Sequence, residues 1–400
     1  MTRVPLNHSY ALFSSQILVF VDELNTSTVL GCTKEVLVDR TIDGTPLEDN
    51  IFFVAAINPA SGELEARGAT TNHTGVEGNI IQGDFVVKSI CPSLKALVLD
   101  FGTMESSQEE AFLSALLQDQ NISVGKYFGS SAAADGDDDF ATAINFERLR
   151  HLMHLVLCSQ QYLREYRNAG AIESRIHVSI RDIMRAVKLY LFFSDRGRAD
   201  GIFQAEEDSD QERHWKSLLM SIALAYYLRL PISYGLYETR RLFATQIREN
   251  LEALHAPQQF RDLGVFANDT ISRFFDHVFV PTGVAATRAL QEHVFCMAVC
   301  IENKIPLIVT GPPGCSKTLG FTIAAENMRG SGSRKGLFQK MPKVSRFNYQ
   351  CSEQSTAADI EAVARDAEAR QAILHLGDAQ RALSFISIIT KVTHTARSVR

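Results

Sequence analysis

The hydrophobic and polar positions of this 400-residue chain change period along its length. Short apolar runs come first. QILVFVDELNTS, Gln16 to Ser27, carries an unbroken apolar run into two acids, and IFFVAAINP, Ile51 to Pro59, repeats the pattern. Runs of this length without alternation predict buried strands of a parallel sheet. KEVLVDR between them suits a short helix, TIDGTPLEDN a turn-rich connection, and DFVVKSI, Asp84 to Ile90, a third strand. After that the period turns helical. QEEAFLSALLQDQ, FERLRHLMHLVLCSQQYLREYR, SIRDIMRAVKLYLFF, HWKSLLMSIALAYYLRLP, TRRLFATQIRENLEAL and ATRALQEHVFCMAVCIEN all return an apolar residue at three- and four-residue spacing. In the third, Ser179 and Asp182 have the spacing of a capping box, and Ile180, Ile183, Met184, Val187 and Leu191 form the apolar stripe. Between the first two lies GSSAAADGDDD, Gly129 to Asp139, acidic and low in complexity, which predicts a disordered insertion.

The last third returns to an α/β pattern. IPLIVT, Ile305 to Thr310, predicts a buried parallel strand, and the chain from Lys317 into GFTIAAENM a helix. MRGSGSRKG predicts a flexible connection, VSRFNYQ a strand, and STAADIEAVARDAEARQ a helix boxed by Thr356 and Asp359. Between the first strand and its helix stands GPPGCSKT: Gly311, Pro312, Pro313, Gly314, Cys315, Ser316, Lys317 and Thr318. A Gly-rich loop that opens a helix turns successive backbone N–H groups inward and adds the positive end of the helix dipole, which together hold phosphate. Lys317 is placed to neutralise the β- and γ-phosphates of ATP, and the Thr318 hydroxyl to ligate Mg²⁺. The match to G-x-x-x-x-G-K-[ST] has one departure. Ser316 occupies the position of the last glycine.

The early strands carry the complementary chemistry. Asp22 and Glu23 fall at the carboxyl end of the first strand, where ligands of open α/β sheets sit. Asp22 is expected to hold Mg²⁺ through water, and Glu23 to polarise the water that attacks the γ-phosphate. Asn58, at the end of the neighbouring strand, can reach the same water from the side, the position called sensor 1 in ring-forming ATPases; it also reads as a plain turn residue before Pro59. In the third helix Arg181, Arg185 and Lys188 share a face away from the apolar stripe. In a helical lid Arg181 is the first candidate for a γ-phosphate contact, the sensor 2 role, and a solvated basic face is the other reading.

The order of these parts departs from a single ATPase module, in which the phosphate loop precedes the acidic strand. The economical reading is an α/β fold of the P-loop NTPase (AAA+) type, with parallel sheets and a helical lid, carrying two incomplete tandem modules. Residues 1–95 would be the second half of one core, 96–260 a helical lid and linker, and 261–400 the first half of the next module. A circular permutation gives the same order but threads the lid between the halves of one sheet. Near the end QAILHLGDAQ places Asp378 after a strand-like run with Ala379 where hydrolysis needs a glutamate. Either the second module is hydrolytically dead, or the reading frame departs near Gln371.

Composition narrows this little. A net charge of -6 and a pI near 6.0 argue against a general nucleic-acid-binding surface. Seven scattered cysteines without a C-x-x-C pair predict a reducing compartment, hence the cytoplasm. No apolar run reaches the roughly 18 residues of a membrane span.

The chain resembles the ATPase core of the mysterin family, giant RING-type E3 ubiquitin ligases whose AAA+ modules lie in tandem as in dynein. The resemblance rests on FVDELNTS, INP, LVLDFG, VSIRDIMRAVKLYLFF, SIALAYYLRLP, PLIVTGPPGCSKTLGF and YQCSEQSTAADIE, and it spans residues 16 to 371 without the acidic insertion. It implies that Asp22 and Glu23 are the acidic (Walker B) pair of one module, and Lys317 and Thr318 the phosphate-loop residues of its successor. Neighbouring AAA+ modules of the same chain are the implied partners, and a ubiquitin-conjugating enzyme would be engaged only through regions absent here. The expected function is binding and hydrolysis of ATP coupled to conformational change. A remodelling ATPase of the dynein or midasin type, and a non-hydrolysing scaffold stabilised by nucleotide, are the alternatives.

Overall fold

The computed structural model describes residues 17–26, 33–48, 50–57, 92–99, 105–127, 138–168, 178–195, 201–203, 209–230, 237–311, 314–352, 354–375 and 384–391. The chain divides into two compact units, Met1–Met104 and Glu105–Arg400.

In the first unit β1 (Ile17–Val21) turns into a 3-10 turn (Leu24–Thr26), and a π-helical turn (Glu35–Asp39) stands where a short helix was expected. The short strands β2 (Thr41–Ile42) and β3 (Thr45–Pro46) form an antiparallel hairpin. Its central residues Asp43 and Gly44 both have positive φ, the conformation that an Asp-Gly pair adopts readily in a tight hairpin. β4 (Ile51–Ala55) then pairs with β1 in parallel, from Ile17 opposite Ile51 to Val21 opposite Ala55. Arg40 fastens the crossover by donating to the carbonyls of Ile51 at 2.6 Å and Glu48 at 3.0 Å. A one-turn helix, α1 (Pro92–Lys95), buries Leu94. The strands form as expected, but they are not buried: Leu18 is 67% exposed and Phe20 and Phe52 are each 61% exposed. A pair of strands has too little width to cover its own two faces. The expected third strand at Asp84 to Ile90 lies outside the described residues.

The second unit is a helical mass followed by an α/β segment. Its helices are α2 (Ser106–Tyr127), α3 (Asp138–Asn168), α4 (Ile180–Ser194), α5 (Asp210–Ala225), α6 (Tyr237–Ala253), α7 (Leu263–Asp276) and α8 (Arg288–Glu302). The helix α9 (Lys317–Asn327) follows the phosphate loop, then come α10 (Gly336–Gln339), β5 (Val344–Cys351), α11 (Ala357–His375) and β6 (Ser384–Lys391). β5 and β6 pair in parallel from Val344 opposite Ser384 to Cys351 opposite Lys391. One hydrophobic core runs from Leu113 in α2 to Met341 after α10 and passes through the expected domain boundary at 260/261. Both predicted capping boxes form. The Asp182 carboxylate accepts from the Ser179 N–H at 2.8 Å, and Asp359 does the same for Thr356 at 2.8 Å, which holds the Asp359 carboxyl below its usual range.

Several polar groups are buried with partners, as burial in a packed core requires. Arg240 on α6 makes a bidentate pair with Glu292 on α8, at 2.9 and 3.1 Å, with both side chains almost fully buried. A chain of rings links three helices: Tyr190 on α4 meets His214 Nδ1 at 2.8 Å, and His214 Nε2 on α5 meets His151 Nδ1 on α3 at 3.0 Å. Burial pushes the His214 pKa well below its usual value, and the neighbouring His151 and Arg148 charges push it further down.

Five sequence expectations change here. Ile305 to Thr310 forms no strand among the described residues, and Ile308 is 88% exposed, because no described strand lies beside it to complete a ladder. Met184 is half exposed, since the buried stripe of α4 runs instead through Ile183, Ala186, Val187 and Tyr190. Asp138 and Asp139 open α3, while the rest of the expected disordered insertion lies outside the described residues. MRGSGSRKG is ordered by its own turns: Ser333 is buried, and the Arg334 guanidinium stacks 3.8 Å from the Phe279 ring centroid. The run from Gln371 to His375 continues α11 as helix, and the parallel strand after it is β6, in a stretch whose sequence pattern had looked irregular.

Candidate phosphate-binding site

The segment that precedes α9 is shaped by three backbone choices. Gly314 has φ +82, a conformation that glycine adopts without cost, and a Cβ there would meet nothing within 4 Å. The space over the loop is open. Ser316 stands in the left-handed region at φ 65, ψ 19 as the N-cap of α9. A glycine would sit there freely, whereas the serine Cβ costs about 1–2 kcal/mol. The departure from the motif is therefore conformationally demanding but retains the loop's shape. Gly320 then donates its N–H to the Ser316 carbonyl at 2.8 Å, which starts the helix.

Lys317 reaches back across the loop. Its Nζ donates to the Gly311 carbonyl at 2.7 Å and stands 3.5 Å from Cys315 Sγ. Thr318 is exposed in the first turn of α9. The described loop thus offers backbone N–H groups, a helix N-terminus, one ammonium and one hydroxyl, a donor set suited to the oxygens of a phosphate chain. For Mg²⁺ the same loop supplies a single hydroxyl, so the ion's other ligands would be phosphate oxygens and water, its usual preference. Pro312 and Pro313 lie outside the described residues. Among the described residues no three His, Cys, Asp or Glu side chains gather as a metal cluster.

The helix beneath the loop, α8, was expected only as a lead-in. Gly320 packs so closely on it that a Cβ at 320 would come 3.1 Å from the Cβ of His293. The His293 ring reaches the backbone of Ser316, and its Nδ1 is buried without a hydrogen-bond partner among the described residues. Burial lowers the His293 pKa, and the Lys317 charge lowers it further. Neither His293 nor the Arg240–Glu292 pair stood out in sequence. The pair joins residues 52 positions apart, and a lone histidine on a helix has no distinguishing pattern.

The other predicted residues are placed separately. In the first unit Asp22 and Glu23 occupy the turn directly after β1, at the carboxyl end of the parallel pair, and both are exposed. The Glu23 N–H donates to Asp22 Oδ1 at 3.0 Å, and Glu23 itself has φ 49. Asn58 lies outside the described residues; β4 ends three positions before it. Arg181 is exposed in the first turn of α4. Its neighbour Arg185 is instead engaged at 3.2 Å by Asp182, which also holds Arg229 at 2.7 Å. Ser316, Lys317 and Thr318 are brought together, and Asp22 stands beside Glu23, each group within its own unit.

Comparison with known proteins adds a family to this geometry. Residues 283–390, from the lead-in to α8 through β6, match the family model described as the RNF213 AAA domain. The chain is 29% identical over 371 residues to the E3 ubiquitin-protein ligase RNF213 of Mus musculus and 28% identical over 373 residues to that of Homo sapiens, each covering 86% of this chain. It is 27% identical over 399 residues, 87% of its length, to an uncharacterized transmembrane protein of Dictyostelium discoideum. Among the described residues here, no helix is long and apolar enough to cross a membrane. The chain spans about 6% of the length of each of these relatives. RNF213 is the protein also called mysterin, the family whose resemblance the sequence carries. An AAA-type α/β segment with a phosphate loop at its centre, this chain is an RNF213-type relative.

Proposed function

We propose that this chain is the ATP-binding segment of a mysterin-like E3 ubiquitin ligase, in which nucleotide state sets the conformation of AAA+ modules. The observation that carries the reading is the loop at 314–318, with left-handed Ser316, an open face at Gly314 and Lys317 folded across it. On this reading Lys317 exchanges the Gly311 carbonyl for the β- and γ-phosphates of ATP, and Thr318 ligates the Mg²⁺ that accompanies them. Asp22, Glu23 and Asn58 act in a second, separate site, Asp22 on the metal and Glu23 on the attacking water. Arg181 answers to the γ-phosphate from the lid.

Hydrolysis, ubiquitin transfer and a ubiquitin-conjugating partner come to this chain only from the names of much longer relatives. We place the protein in the cytoplasm on its scattered, unpaired cysteines. The test is calorimetric titration of the purified chain with ATP and Mg²⁺. Lys317→Ala removes a charge-assisted contact and should weaken binding about tenfold to a hundredfold. Equal affinity of the two proteins would end the reading.

A further inference from the structure

Ser316 holds a conformation that a serine adopts at a cost, so something must hold it there. The contacts converge on one residue. His293 lies directly beneath the loop: its Cβ sets the 3.1 Å limit at Gly320, and its ring reaches the Ser316 backbone. The nitrogen without a partner is Nδ1, so the edge that faces Ser316 is Nε2. A neutral imidazole with its proton on Nε2 donates to a backbone carbonyl there and leaves Nδ1 as a buried acceptor. An imidazolium would bury an unpaired N–H and add a second cation beside Lys317.

The next residue along the helix is fixed from the other side. Glu292 is gripped by Arg240 of α6 at 2.9 and 3.1 Å and by Arg288 at 3.1 Å. Arg240 in turn donates to the carbonyls of Leu230 and Leu228. One turn of α8 therefore bonds the helical bundle through Glu292 and the phosphate loop through His293.

We propose that His293 is a positioning residue for nucleotide binding: it pins Ser316 in the left-handed conformation from below and, through the adjacent Glu292, ties the phosphate loop to the helical bundle. This rests on the reading of the loop as a nucleotide site. A loop held in shape before the ligand arrives binds without the cost of ordering, and that saving is what His293 contributes.

The test is a double-mutant cycle on the 400-residue chain, with a fluorescent methylanthraniloyl ATP and Mg²⁺ as the binding probe and hydrogen exchange of the amides at 314–320 as the measure of loop order. His293→Ala should weaken binding about three- to tenfold and raise loop exchange by a similar factor, the worth of one hydrogen bond. His293→Gln, which keeps a donor at similar reach, should recover most of both. The decisive variant is Ser316→Gly, since glycine needs no latch to be left-handed. In that background His293→Ala should have little effect on either readout, whereas undiminished losses would overturn the proposal as a matter of general packing. Should His293→Ala not fold, Gly320→Ala is the substitute: its methyl meets the His293 Cβ, and it should give the same losses. A wild-type chain that binds no nucleotide would sink the functional reading, while loop exchange in the same variants would still decide whether the latch exists. Unchanged exchange would dismiss it.

Discussion

The helices of the second unit and the β1–β4 pair of the first bury their apolar residues to opposite extents. Phe274 and Tyr190 are wholly buried, and Phe274 meets the rings of Phe295 and Phe338 edge-on at 5.1 and 5.6 Å. Phe20 and Leu18 carry the same kind of surface and face water. Helices with one apolar stripe can satisfy one another in a bundle. A parallel sheet needs covering on both faces, and among the described residues of the first unit nothing covers this pair. Apolar sequence alone therefore does not define a core; the geometry of the element decides how many neighbours it requires.

The largest effect should come from the bundle. Phe274→Ala removes a wholly buried ring and should cost about 3–5 kcal/mol in urea unfolding of the second unit. A loss below about 1 kcal/mol would mean that the bundle packs as loosely as the strands.

A smaller effect separates the regions by pH. His214 and His151 face Tyr190, Trp215, Glu147, Arg148, Arg150, His154 and the buried Arg213, and burial depresses both pKa values below the usual 6.5. As pH falls below about 6.5, the unfolded chain takes up protons that the folded bundle still refuses. Stability is therefore complete above that pH and declines as pH drops towards the folded pKa values, by about 1.4 kcal/mol per unit of depression. Melting at about pH 7.5 and about pH 5.5 should show the decline in the wild type and less of it in His214→Leu. Identical declines would remove the histidines as its source.

The smallest effect belongs to the strands. Phe20→Ser should change stability by less than about 0.5 kcal/mol, the range of surface substitutions. A loss of several kcal/mol would show that Phe20 is covered in solution and that the contrast between the regions is false.

How much of this was legible depended on whether the signal was local. The capping boxes at Ser179 and Thr356 lie within four residues and were read correctly. So were the helices, β1, β4 and β5, and the shape of the phosphate loop, whose demand for a small residue at 316 is a property of one backbone position. Ile305 to Thr310 failed because an apolar run records a need for neighbours without recording whether they are present. Met184 failed by one step around a helix whose buried face is wider than a single stripe. The ring chain from Tyr190 through His214 to His151 was invisible, since it joins three helices at positions whose polar character suggested solvent. β6 failed for the opposite reason, its partner β5 supplying through the ladder an order that its own pattern did not announce.

Asn327, the last residue of α9, donates to the Phe279 carbonyl at 2.9 Å and accepts from the Phe279 N–H at 2.7 Å. One side chain thus closes the stretch from 279 to 327 into a loop, as the neck of a purse is closed by its string. Tension along the backbone would pass from Phe279 to Asn327 across that knot, and α8, the phosphate loop and α9 would hang slack beneath it until both hydrogen bonds gave way. The segment that shapes the loop is thereby shielded from strain elsewhere in the chain.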